Sequence, residues 1–66
     1  MGNRLRVLRA ERAITQMDLA RKIGLAVSNY WRIEKGYRHP SQAQRQALAR
    51  ALRVSQAEIW PDEAAS

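Results

Sequence analysis

Sixty-six residues make one small domain with a marginal core, too short for the long loops and walled pocket of an enzyme. With no cysteine and a single histidine, neither a disulfide framework nor a Cys/His zinc site can be assembled, and no apolar run approaches the roughly 20 residues that span a bilayer. The N-terminus lacks the apolar core of a signal peptide, so a cytoplasmic protein with no metal, cofactor or small-molecule ligand is expected. Twelve Lys and Arg against six Asp and Glu give a net charge of +6. All twelve bases lie in residues 1–53 with only Glu11, Asp18 and Glu34, whereas Glu58, Asp62 and Glu63 make the end of the chain acidic. Clustered bases of this kind suit a polyanion such as nucleic acid, because displacing counterions from phosphates favours them. An arginine-rich solvated surface is the plainer alternative.

Met1 to Asn3 reads as a loose start, with Asn3 able to cap a first helix over residues 4–13 that turns Leu5 and Leu8 inward. Ile14 closes the core, and Thr15 with Asp18 three residues on starts a second helix reaching Ile23. Gly24 supplies the positive φ of a tight turn, Leu25 anchors the chain, and a third helix over residues 27–35 ends at Gly36. Leu19, Ala20 and Ile23 share one face of the second helix, and Tyr30 and Ile33 share one face of the third, so both can meet in one core. Tyr37 to His39 is a basic loop. Ser41 with Gln44 starts a fourth helix to Leu52, carrying Ala47, Leu48, Ala51 and Leu52. Ser55 with Glu58 starts a fifth that carries Ile59 and Trp60 until Pro61 stops it. The tail at 62–66 is expected to be flexible, leaving an ordered core over residues 4–61 of a single domain spanning residues 1–66.

Two short helices hinged at Gly24, with the small Ala20 allowing close approach, have the spacing of a helix-turn-helix. TQMDLARKIGL followed by RIEKG resembles the Cro/CI-type, Xre-like helix-turn-helix regulators of phages and bacteria, over about residues 4–61. That resemblance implies an all-α, five-helix, lambda-repressor-like domain with its helix-turn-helix at helices two and three. The chain departs from the family pattern at Ala26, where Ser or Thr usually caps the third helix, and at Tyr30, where Ile or Val is usual. Gln42 and Arg45 also stand where leucine is frequent, which predicts a thin core beside the fourth helix.

On the third helix Val27, Ser28, Trp31, Arg32 and Lys35 share the side opposite Tyr30 and Ile33. The resemblance places Val27, Ser28 and Arg32 at base edges in the major groove, where arginine can pair with guanine O6 and N7, valine can pack on a thymine methyl and serine can bond either kind of partner. It also gives Gln16 as a DNA contact through its backbone N–H or amide, with a neighbouring side chain as the other possible target. Asn29, Lys35, Arg38 and His39 flank the helix as phosphate contacts. Trp31, where the family has a small polar residue, can reach phosphate or fold back over the basic loop. The family often pairs an arginine at Arg9 with a glutamate at Glu34. Ile59 and Trp60 either plug the core or make a subunit contact.

These readings predict a homodimeric, double-stranded DNA-binding transcriptional regulator, a repressor, with the fifth helix as dimer interface. An antitoxin that represses its own operon is the nearest alternative. A protein-interaction adaptor using Trp31 and Trp60 is the other.

Overall fold

The computed structural model describes residues 2–64, which form six helices: α1 (Leu5–Glu11), α2 (Gln16–Lys22), α3 (Val27–Glu34), α4 (Gln42–Leu52), α5 (Gln56–Ile59) and α6 (Pro61–Ala64). Among the described residues there is no strand. Three starts follow the side chains that the sequence offers. Thr15 accepts from the Asp18 N–H, while Ser41 with Gln44 and Ser55 with Glu58 close reciprocal capping boxes. Ala26 gives α3 no side-chain cap. Asn3 is anything but loose: its Oδ1 accepts from the Leu5 N–H at 3.0 Å and its Nδ2 donates to the Ile33 carbonyl at 2.9 Å, tying the start of α1 to the end of α3.

The first four helices end in one motif. An N–H three residues beyond the end of α1, α2 and α3, and two beyond the end of α4, reaches back five residues: Ile14 to Arg9, Leu25 to Ala20, Tyr37 to Arg32 and Val54 to Ala49, at 2.8–3.0 Å. The residue before it takes a left-handed conformation, and at Gly24 (φ 73°) and Gly36 (φ 82°) glycine does so freely. At Ala13 (φ 54°) and Arg53 (φ 59°) an ordinary residue is forced into it. Neither of those ends carries a glycine signal, and α1 stops at Glu11 rather than running to residue 13.

Leu5, Leu8, Leu19, Ala20, Tyr30, Ile33, Leu48, Ala49, Leu52, Ile59 and Trp60 form the buried core, with Ile14, Ile23, Leu25, Ala51 and Val54 packed against it. Two features correct the five-helix expectation. Pro61 begins a sixth turn instead of ending the fold, since proline at a first helical position loses no intrahelical hydrogen bond. Residues 62–64 of the tail are helical, and residues 65–66 lie outside the described residues.

The thin side of the core is closed by an arginine. The Arg45 guanidinium lies 4.6 Å from the centroid of the Trp60 ring and bonds Glu63 of α6 at 2.7 Å, so its stem and planar head cover what leucine would have covered. Arg12, just after α1, acts similarly at the other end, donating from Nε to the Leu52 carbonyl at 2.8 Å and thereby capping α4.

Ala13 is exposed, so its backbone conformation can be tested with little disturbance of packing. Ala13→Gly is expected to raise stability by about 0.5–1 kcal/mol, read as an increase of a few degrees in Tm by calorimetry. A lower Tm would mean that the left-handed turn at Ala13 carries no strain.

Candidate nucleic-acid interface

Helices α2 and α3 meet through the Gly24 turn, with Leu19 and Ala20 of the first and Tyr30 and Ile33 of the second buried together. Burying that side of α3 sends the other outward. Val27, Ser28, Trp31, Arg32 and Lys35 are exposed along one edge, while Asn29 is half-buried. The helix is eight residues long, short enough to enter a groove about 12 Å wide end-on or along its length. Its exposed edge carries two cations, a hydroxyl, an indole and a small apolar side chain. Arg32 donates from Nη1 to Asn29 Oδ1 at 3.3 Å, which holds the guanidinium along the helix rather than free in solvent.

Behind this edge lies a buried polar cluster. Arg9 Nη2 donates to Glu34 Oε1 at 2.9 Å and Arg9 Nη1 to the Ile14 carbonyl at 2.9 Å, with the two side chains 15% and 3% exposed. Gln16 Nε2 donates to Glu34 Oε2 at 3.2 Å, so both carboxylate oxygens are engaged, one from α1 and one from α2. Of the two partners the sequence leaves open to the Gln16 amide, DNA or a neighbouring side chain, the second is present in the fold. The hydrogen bond to Glu34 raises the pKa of Arg9, which keeps its charge fixed. Tyr30 completes the cluster. Its hydroxyl is buried against the pair without a hydrogen-bond partner of good geometry, and burial first, then the charge of Glu34, pushes its pKa well above the ordinary tyrosine value.

Around the helix end, Trp31 and Tyr37 meet edge to face with ring centroids 5.6 Å apart. The indole thus lies over the basic loop while remaining partly exposed, and Tyr37 is 73% exposed. Lys35, Arg38 and His39 are all exposed beside it. This puts the expected phosphate-contacting groups at the end of α3 and in the loop that follows, next to the exposed edge of the helix.

One sequence expectation is corrected. Ile59 and Trp60 are not an exposed apolar pair available to a second subunit: Ile59 is fully buried, Trp60 is 6% exposed, and the Ile59 carbonyl accepts from the Arg4 N–H at 2.9 Å. They are the floor of the chain's own core, sealed by Arg45. Among the described residues no group of three or more His, Cys, Asp or Glu is arranged to hold a metal, and no helix is long and apolar enough to cross a membrane.

A tight glycine turn between two short helices, the second presenting a polar, cationic edge, defines a helix-turn-helix module of the DNA-binding regulator class. The chain belongs to the helix-turn-helix domain family, whose model matches residues 1–60. It is also 39% identical over 62 residues to the uncharacterized HTH-type transcriptional regulator YazB of Bacillus subtilis (strain 168), an alignment covering 94% of this chain and 90% of that protein.

The buried Tyr30 hydroxyl sets an alkaline limit. Because its folded pKa is raised, the proton is held more tightly in the folded state; the resulting stability is intact below the unfolded value near 10 and falls as pH rises beyond it, by up to about 1.4 kcal/mol per pH unit. Tyr30→Phe should remove this step, so the difference in urea midpoint between the two proteins should grow in favour of the variant above about pH 10. Parallel curves from pH 8 to 11 would show that Tyr30 is solvated in the folded state.

Proposed function

We propose that this chain is a sequence-specific repressor that binds double-stranded DNA with α3 in the major groove, two copies occupying half-sites about 34 Å apart. The single observation that carries the reading is the exposed edge of α3. Arg32, Ser28 and Val27 stand together on a rigid helix whose opposite side is locked into the core, which is the arrangement direct readout needs. Lys35, Arg38 and His39 supply sequence-independent attraction beside it. Repression follows from occupancy: a domain seated in the groove excludes other proteins from the same base pairs. No enzymatic step is part of this reading. The homodimer rests on the two-fold logic of operators and uses a surface other than Ile59 and Trp60, which the chain's own core occupies.

Selection from a random duplex pool tests specificity and symmetry together, and an inverted repeat is the expected product. Given that sequence, Arg32→Ala is expected to weaken operator binding by about 1–3 kcal/mol and to relax the preference at one base pair, while Arg38→Ala weakens operator and random duplex alike. Equal losses for Arg32→Ala on both duplexes would make Arg32 a phosphate contact. Binding that does not weaken as salt rises, or no selected motif at all, would remove the DNA reading.

A further inference from the structure

We infer that Gln16 is a positioning residue that sets the angle of the recognition helix rather than a reader of DNA. This rests on the proposed DNA-binding role of α3. Helices α2 and α3 are rods of about 10 and 12 Å, joined through Gly24 at the end of the first and the beginning of the second. Gln16 is the first residue of α2 and Glu34 the last of α3, so their 3.2 Å hydrogen bond links the two ends that the turn leaves apart. Two rods joined at one end keep a hinge. A strut between the other ends closes the triangle and removes it.

The strut is held from behind as well as along its own line. Glu34 is fixed by Arg9 through Oε1, and Arg9 in turn bonds the Ile14 carbonyl just before α2, so the carboxylate cannot swing away from the amide without abandoning a buried ion pair. The Asn3 amide holds the Ile33 carbonyl from the other side. Gln16 is only half-buried, and its amide donates to Glu34. Its consequence for recognition is geometric: Val27, Ser28 and Arg32 need a fixed tilt in the groove, and a misplacement of about 1 Å at a bidentate contact is enough to lose it.

Gln16→Met keeps the length of the side chain and removes the donor, while Gln16→Lys restores a donor to Glu34. The expected result is that Gln16→Met selects the same base sequence as the parent protein while its operator-to-random affinity ratio falls roughly three- to tenfold, and that Gln16→Lys recovers the ratio to within about twofold. A changed base preference at one position in Gln16→Met, or an unchanged ratio, would overturn the inference. A second readout needs no DNA. Gln16→Glu sets a new carboxylate against Glu34, with the Arg9 guanidinium of α1 and the Tyr30 hydroxyl of α3 as the other titratable groups at that spot. Like charge holds one proton above its usual pKa there, so the variant should lose stability relative to the parent as pH rises from 4 to 7. Parallel pH curves would show that the two side chains do not meet and would refute the strut. If the parent protein itself selected no sequence, the DNA reading would fall, and this pH comparison would still decide whether the strut exists.

Discussion

The carboxylate of Glu34 is the point on which three helices converge. It sits at the end of α3, 3% exposed, and receives Arg9 from α1 and Gln16 from α2 on separate oxygens. A charge in that position, almost out of reach of water, is costly unless hydrogen-bond donors answer it. A cluster of this sort adds little net stability over a well-packed apolar one. What it adds is geometry: Glu34 can meet Arg9 and Gln16 at once only where α1, α2 and α3 converge. That constraint matters more than usual in a chain of 66 residues, whose total stability is on the order of 3–10 kcal/mol.

Function follows from the same constraint. The working edge of α3 has no support of its own in the groove; its placement comes entirely from what its other side is fastened to. Tyr30 and Ile33 hold it by packing, Glu34 by charge, and Asn3 by capturing the Ile33 carbonyl. Gly24 and Gly36 bound the helix with the same hydrogen-bonded ending, so neither the turn before it nor the loop after it wanders. Lys35, Arg38 and His39 then lie where the chain leaves the helix, beside a small aromatic contact between Trp31 and Tyr37 that shapes the loop.

Much of this was legible before any coordinates. The three side-chain caps, both glycine endings and the inward faces of α2 and α3 are local chemistry, written within a few residues of where they act. Arg9 and Glu34, 25 residues apart, came only from resemblance, and the structure brings them to 2.9 Å. The misreadings have one cause in common. The first helix ends at Glu11 and not at residue 13 because tertiary packing of Ile14 overrides the local cost of a left-handed Ala13, and nothing in the neighbouring sequence announces it. Arg45 looked like a hole in the core because its role depends on Trp60 and Glu63, 15 and 18 residues away. For the same reason Ile59 and Trp60 could be read as free when they were already covered.

The most direct test of the convergence at Glu34 is a double-mutant cycle with Arg9→Met and Glu34→Leu, followed by urea unfolding at pH 7. Each single replacement strands a buried charge and should cost about 3–5 kcal/mol, whereas the double replacement removes both charges together and should cost much less than the sum. A coupling energy of about 2–3 kcal/mol is the predicted result, measured in a stabilising osmolyte if a single variant unfolds in water. Additive costs, with coupling below about 0.5 kcal/mol, would contradict the account, because the two charges would then be solvated independently and the placement of α3 would have to come from packing alone.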